Sequence, residues 1–321
     1  MTDSAASRSK IRFGNAPCSW GTIEGFGEGI PAPRMLDELV KAGYAGTELG
    51  DYGFMPTDVA ALRAALSSRG LTMLGGYEGV YLRDPAQHAA GEARALRVAR
   101  QLAAVADLGD PNWQPLVVLA DEHSRDPLRF ENAGRVTPEL ALDEEGWRHF
   151  TAGAERIART VRAETGLRTV FHHHCAGYVE TPAEVASFLE RTDPDVIGLV
   201  FDTGHFLYGS GGSDPGAVLR GLQRHRDRVW YVHFKDMSGG VARRARESGL
   251  NYRRAVGEGV FCELGRGVVP FGGALESLEQ TGYAGWVTVE QDVLPGMGEP
   301  LTSATANREF LRSLEAPEVT S

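Results

Sequence analysis

Short apolar runs alternate with segments of helical periodicity along nearly the whole chain. Each apolar run is bounded by glycine, proline or polar residues, as expected for short buried strands. The predicted strands are residues 11–16, 46–49, 71–76, 116–120, 169–174, 197–202, 229–234 and 286–290.

The segments between these strands show the spacing of amphipathic helices. One helix is predicted to begin at Thr57 as N-cap, to carry an apolar stripe, and to stop at Gly70. The other predicted helices are residues 34–41, 91–106, 145–164, 182–191, 215–224, 271–281 and 303–314. Eight strand-then-helix units predict a (β/α)8 TIM barrel, with a doubly wound open sheet as the alternative.

The tetrapeptide Gly-Tyr-Ala-Gly occurs twice, at 43–46 and 282–285, each time between a helix and a strand that ends in glutamate. This repetition favours a repeated β/α unit. A single barrel domain is therefore expected over 11–314, with a long loop at 236–269 and tails at 1–10 and 315–321. The Gly/Ser-rich stretch 209–213 is interpreted as a loop between a strand and its helix.

The amino-acid composition argues against some classes of partner. The 321 residues include 43 acidic and 33 basic side chains, for a formal net charge of -10. An acidic chain argues against nucleic acid as a partner, because that binding depends on clustered Lys and Arg. Three cysteines without a C-x-x-C pair predict a reducing, cytoplasmic setting, and no apolar run predicts a membrane partner.

Ionisable residues collect where four consecutive predicted strands end. In a barrel these ends open onto the one face where catalytic residues gather. Burial there requires partners for the charged and polar groups, and a divalent cation would partner all of them. The four strand-end segments are 172–174, 202–205, 233–236 and 290–292.

Side chains alternate along a strand, so His172 and His174 share a face while His173 points to the other. The strand-five ligand is thus either His172 or His174. Nitrogen and oxygen donors without thiolate suit Mn²⁺ or Co²⁺ best, with Mg²⁺, Fe²⁺ and Zn²⁺ as alternatives. Parity also places His233 beside Lys235, whose pKa a cation would lower.

Other residues on the predicted rim complete the candidate site. Glu48 is a candidate base, Lys235 and His205 are candidate acids, and His174 is a further acid–base candidate. The candidate substrate-binding residues are Trp20, Tyr77, Glu78, Trp113 and Arg266.

At these residues the sequence resembles the xylose isomerase-like TIM barrel superfamily of sugar isomerases and epimerases, and within it the inosose dehydratases. The likeness extends over nearly the whole chain. Its more specific segments are 42–50, 172–174, 202–205, 233–236, 257–261, 285–286 and 289–292.

The resemblance implies one metal held at four strand ends, by His172, Asp202, His233 and Glu290. In the superfamily the first of these is usually a glutamate. The histidine run is similar to the dehydratase branch and argues against isomerase chemistry that uses that glutamate as a base. Segment 16–21 also departs from the dehydratases, which continue after the tryptophan with Asn and Asp.

The resulting hypothesis is a metal-dependent lyase that removes water from a keto-cyclitol, such as 2-keto-myo-inositol, or from a keto-sugar, through an enolate. The alternatives are a ketose isomerase or epimerase on the same metal face, a sugar-binding barrel without turnover, and a nuclease that uses the Arg-rich loop 243–254. The expected partner is a small polyol or keto-sugar. Homodimer and homotetramer both remain open.

Overall fold

The computed structural model describes residues 11–21, 29–294 and 296–315. Its main sheet is parallel and has nine strands in the order β3-β2-β1-β11-β8-β7-β6-β5-β4. Its strands are β1 Arg12–Asn15, β2 Gly46–Thr47, β3 Thr72–Met73, β4 Gly75–Val80, β5 Leu116–Asp121, β6 Thr169–His172, β7 Ile197–Asp202, β8 Val229–Phe234 and β11 Trp286–Val289. Two further strands, β9 Asp236–Met237 and β10 Phe261–Cys262, form a separate small sheet.

The two ends of the strand order join at Leu74, so the sheet closes. The N–H of Leu74 donates to the carbonyl of Thr47 (2.8 Å), and the carbonyl of Leu74 accepts from the N–H of Leu116 (3.1 Å). The predicted third strand, 71–76, is therefore interrupted at Leu74 and continues as β4. Closure confirms the predicted TIM barrel and rules out the open doubly wound sheet.

Helices follow the strands on the outside of the barrel. They are α1 Ala32–Ala42, α2 Val59–Ser67, α3 Pro85–Ala103, α4 Pro127–Glu131, α5 Glu144–Thr165, α6 Pro182–Arg191, α7 Thr203–Gly209, α8 Gly216–His225, α9 Gly239–Glu247, α10 Tyr252–Gly257, α11 Phe271–Gln280 and α12 Pro300–Glu315. Within the described residues, no helix combines the length and hydrophobicity needed to cross a bilayer.

The predicted helix boundaries are mostly right within a few residues, but the Thr57 cap was wrong. The N-cap is Asp58, whose carboxylate accepts from the N–H of Ala61. Ser67 ends the helix, and Gly70 (φ +64°) lies in the turn after it. Asp and Thr are both preferred at N-caps, with Asp ahead of Thr, so adjacent candidates of these types compete for the same position.

The two Gly-Tyr-Ala-Gly segments have the same local structure. Gly43 (φ +93°) and Gly282 (φ +76°) both adopt the left-handed conformation that ends a helix. The next N–H donates back to the helix in each case, from Tyr44 to Leu39 and from Tyr283 to Leu278. The repeat therefore marks the same helix-to-strand turn in two β/α units.

The predicted loop 236–269 is not structureless. It holds the antiparallel pair β9–β10 and helices α9 and α10. The stretch 209–213 follows the short helix α7, whereas the sequence placed it directly after a strand. Glu315, predicted as part of a tail, ends α12, while the predicted tail residues 1–10 and 316–321 lie outside the described residues.

Side chains alternate along β6 between the inside and the outside of the barrel. Val170 joins the cluster inside the barrel. Phe171 points outward and packs on Phe188 of α6, with ring centroids 4.2 Å apart. The next side chain, His172, points inward again and is buried above this core.

Candidate active site

A cavity of about 630 Å³, including its open mouth, lies at the carboxyl ends of the barrel strands. Acidic groups, imidazoles and one lysine form most of its polar wall. The lining residues are Ala16, Pro17, Cys18, Glu48, Gly50, Asp51, Tyr77, Val118, His123, His172, His174, His233, Lys235, Glu290 and Asp292.

Four side chains from neighbouring strands converge at the base of this cavity. One donor atom from each of His172, Asp202, His233 and Glu290 lies within 4.8 Å of the other three. Nδ1 of His233 is 3.2 Å from Glu290 Oε1 and 3.9 Å from Asp202 Oδ2. The set offers two nitrogens and two carboxylates, which suits a divalent metal ion.

Several buried polar atoms of these four side chains lack hydrogen-bond partners, and a cation could serve as their partner. Both ring nitrogens of His172, Oδ2 of Asp202 and Nδ1 of His233 are buried without a hydrogen-bond partner. Buried polar atoms are costly when unpaired, and each of these residues offers one donor atom to the same cluster. The cluster therefore fits a divalent metal site.

The two carboxylate oxygens of Asp202 have different roles. Oδ1 accepts from the N–H of His205 (2.7 Å) and so caps α7. Oδ2 faces the cluster. Gly204 lets α7 begin this close to β8, because a Cβ there would lie 2.7 Å from Cγ of Lys235.

Glu48 contacts His233 from the opposite side of the barrel. His233 donates from Nε2 to Oε1 of Glu48 (2.8 Å), and the hydroxyl of Tyr231 donates to the same oxygen (2.9 Å). This bond fixes the orientation of the ring, so that Nδ1 of His233 faces the cluster. Burial opposes the charged imidazole, but Glu290 and Glu48 outweigh it and raise the pKa of His233 to about 10.

Lys235 lies beside the cluster between two carboxylates. Its Nζ is 2.7 Å from Asp292 Oδ1 and 3.2 Å from Glu290 Oε2. Burial alone would lower the pKa of Lys235, but Asp292, Glu290 and Asp202 raise it well above its usual value. The protein groups thus act in the direction opposite to the lowering expected from the sequence.

Asp236, the carboxylate next to Lys235 in sequence, has a different role. Its oxygens accept from backbone N–H groups of Met237, Gly265, Gly267 and Val269. It therefore fixes the segment after β10.

The histidines beyond β6 occupy distinct environments. His173 is fully buried, and its Nε2 accepts from the N–H of Asp202 (3.2 Å), which agrees with the packed position expected from parity. His174 lines the cavity and donates from Nδ1 to the carbonyl of Cys175 (2.6 Å). Burial, His123 and His172 hold the pKa of His174 well below its usual value.

Several residues predicted from sequence do not reach this cavity. Trp20 is buried and donates to Glu38 of α1 (3.0 Å). Trp113 precedes β5 at the opposite end of the barrel, where it packs on Tyr231. Arg266 is exposed, and Glu78 lines a separate cavity.

His205 also lies outside the cavity wall. It is fully buried, and its Nδ1 accepts from the N–H of Cys175 (3.3 Å). Its ring packs against His174, with centroids 3.9 Å apart. His205 thus supports the turn that carries His174.

Sequence reasoning gave no role to other cavity residues, namely Cys18, Asp51, His123 and Asp292. His123 stands two residues beyond the end of β5, as His174 does beyond β6, so the strand-end rule applied to every strand would have found it. Asp292 lies three residues beyond β11, within the strand-end segment 290–292. Tyr252, from the long segment, donates to Asp292 Oδ2 (3.2 Å). The segment 236–269 thus contacts the site.

Comparisons with known proteins agree with this architecture. A family model described as Xylose isomerase-like TIM barrel matches residues 36–314. Rhizopine catabolism protein MocC of Rhizobium meliloti is 36% identical over 95% of this chain and 89% of that protein. Inosose dehydratase of Geobacillus kaustophilus is 31% identical over 95% of this chain and 94% of that protein.

Solved structures show the same fold at lower identity. A structure of L-ribulose 3-epimerase has a TM-score of 0.66 and 18% identity, with 95% of this chain and 94% of that chain covered. D-psicose 3-epimerase from Clostridium cellulolyticum H10 has a TM-score of 0.65 and 16% identity, with 96% and 100% covered.

Proposed function

The chain belongs to the xylose isomerase-like TIM barrel family, and on that premise we propose that it is a metal-dependent dehydratase acting on a keto-inositol such as 2-keto-myo-inositol. The observation that carries the proposal is the cluster of His172, Asp202, His233 and Glu290 beneath an open cavity. Relatives named inosose dehydratase, matched over nearly the full chain, support the reaction and the substrate class.

In this proposal the four cluster residues hold the ion, with Mn²⁺ or Co²⁺ favoured. When bound, a divalent ion supplies Lewis acidity that stabilises negative charge developing on a ketone oxygen. Glu48 holds the His233 ring so that Nδ1 faces the cluster.

His174 is the proposed base for the proton next to the ketone. The Nδ1–H of His174 donates a hydrogen bond to the carbonyl of Cys175, so the lone pair of the neutral ring is on Nε2. Nε2 lies 3.5 Å from the hydroxyl of Tyr252, whose proton is donated to Asp292. The lone pair is therefore available to a substrate in the cavity. A positioned acid or base typically contributes about 10²–10⁴-fold to the rate.

Lys235 is the proposed acid for the departing hydroxyl. Its ammonium is held by Asp292 and Glu290, lines the cavity, and is 1% exposed. The ammonium can give a proton to a hydroxyl leaving from the carbon next to the one deprotonated, so that water is released. Lys235 then regains a proton from solvent, because Asp292 and Glu290 stabilise its charged form.

Metal removal and product identity test the proposal together. Protein treated with chelator is expected to lose activity on 2-keto-myo-inositol, and Mn²⁺ or Co²⁺ is expected to restore it. The product, an enolisable dione, is followed by its ultraviolet absorbance. Full activity of a metal-free His233→Ala variant would contradict the proposal.

A histidine away from the cavity provides the matched control. His149 lies on α5, outside the barrel, where it pairs with Glu145. His149→Ala is expected to keep both metal content and activity. If the wild-type protein instead interconverts ketoses without forming a dione, the isomerase or epimerase alternative replaces the dehydratase.

A further inference from the structure

A second cavity, of about 910 Å³, adjoins the first. Asp51 and Tyr77 line both cavities, so the two meet at these side chains. We name the second cavity the outer groove. Its other lining residues are Tyr52, Glu78, Gly79, Gln87, Arg94, Arg97, Glu122 and Arg125.

Contacts between elements hold the walls of the outer groove in place. Arg94 of α3 contacts Glu78 of β4, with Nε 2.5 Å from Oε1, and also donates to the carbonyl of Gly79 (2.9 Å). The guanidinium of Arg97 lies 3.9 Å from the ring centroid of Tyr52. These contacts connect α3 to β4 and to the segment after β2. The walls of the groove are therefore formed by elements that pack on one another.

The charges in the groove decide which ligand it suits. Its three guanidinium groups, on Arg94, Arg97 and Arg125, are matched by three carboxylates, on Asp51, Glu78 and Glu122. A phosphate or carboxylate ligand is held most strongly by guanidinium groups that no carboxylate offsets, and this balance does not provide such an excess. Guanidinium donors beside carboxylate acceptors suit vicinal hydroxyl groups, since a hydroxyl both donates and accepts, and Tyr52 adds an aromatic surface.

From this geometry we propose that the outer groove binds a second polyhydroxylated ring, so that the substrate is a keto-cyclitol carrying a neutral sugar or polyol substituent. The inference rests on the proposed function, which places the keto-cyclitol ring in the inner cavity. Tyr52 and Arg97 would contact the substituent and would set specificity without touching the reacting atoms.

Binding of two unreactive probes to the metal-loaded protein tests this inference by calorimetry. The probes are myo-inositol and galactosyl-myo-inositol. The galactosylated probe is expected to bind at least about tenfold more tightly, the gain that one or two added hydrogen bonds give. Tyr52→Ala and Arg97→Ala are expected to remove this gain and to leave myo-inositol binding unchanged.

Arg100→Ala is the matched control for Arg97. Arg100 lies on the same helix, α3, but contacts Glu164 and does not line the groove. It is expected to keep the tighter binding of the galactosylated probe.

Three outcomes would overturn the inference in different ways. Equal affinity for the two probes would overturn it alone, with the dehydratase assignment intact. Tighter binding of myo-inositol 1-phosphate than of galactosyl-myo-inositol would make the groove an anion site. No binding of any probe, together with no activity on 2-keto-myo-inositol, would overturn the proposed function as well.

Discussion

Glu48 shows how one carboxylate orients another side chain of the cluster. The sequence marked it as a candidate base, but Oε1 already accepts hydrogen bonds from His233 and Tyr231. A carboxylate that orients a ligating histidine fixes its tautomer and raises its basicity. The contacts of Glu48 therefore assign it to holding the His233 ring, and His174 is the base in the proposed reaction.

Substitution of Glu48 separates these two roles. Glu48→Gln is expected to weaken Mn²⁺ affinity by about 10–100-fold, the usual effect of losing such a partner. Tyr231→Phe, the control, keeps the Glu48–His233 bond and is expected to change affinity much less. If Glu48→Gln bound Mn²⁺ normally but lost turnover, Glu48 would be the base instead.

The connection from β6 to α6 is the element that presents His174 to the cavity. It contains two non-glycine residues with positive φ, Ala176 (+73°) and Val179 (+64°). Such residues are rare and costly, so neighbouring contacts must hold them. Glu180 supplies two of these contacts, because its two carboxylate oxygens accept from the N–H groups of Gly134 (2.6 Å) and Ala176 (2.8 Å).

Glu180 predicts a pH dependence of stability. Burial raises the pKa of Glu180 to about 7, although Arg129 and the two backbone N–H groups oppose the rise. Between about pH 4.5 and 7 the folded protein then retains a proton that the unfolded chain has released. This contribution to stability is complete below pH 4.5 and is lost as the pH rises to 7, and it amounts to about 3 kcal/mol.

Glu180→Gln removes the titrating group, so the free energy of unfolding should vary less with pH over this range. The variant should also be less stable by about 1–3 kcal/mol, because its amide NH₂ faces a backbone N–H. Urea unfolding at several pH values measures both effects. Glu279→Gln, on the exposed surface of α11, is the control. An unchanged pH slope in Glu180→Gln would contradict the prediction.

At the scale of the whole molecule, the cluster joins distant parts of the chain. His172 and Glu290 come from β6 and from the residue after β11, with β7 and β8 between them in the sheet. The cluster forms only when these four strands are paired in register. A bound ion is therefore expected to stabilise the barrel as a unit.

Mn²⁺ is expected to raise the midpoint of thermal unfolding by several degrees. An ion present at 100 times its dissociation constant, and bound only by the folded state, adds about 2.7 kcal/mol of stability. Calorimetry with and without Mn²⁺ measures the shift. His172→Ala should abolish it and His149→Ala should keep it, whereas equal midpoints for the wild-type protein would exclude a stabilising site.

Part of this architecture follows from local sequence. The eight β/α units and the collection of His, Asp and Glu at strand ends were predictable because alternation and helical periodicity depend on neighbouring residues. Alternation along the strand alone indicated that His172 and His173 point to opposite faces. The exact caps, such as Asp58 in place of Thr57, were less predictable because adjacent polar residues compete for the same position.

The chain by itself thus determined the barrel class and the strand-end segments that carry the donors, since both are encoded within short segments, but it left His172 and His174 as alternatives. Only the tertiary structure decided which partners those donors meet. Glu48 and His233 are 185 positions apart and touch because the barrel closes. Lys235 faces Asp292 rather than the adjacent Asp236, and Trp113 lies at the opposite end from the cavity. The outer groove arises in the same way, from α3 packing beside β4 and the segment after β2, a contact between elements that no local pattern specifies.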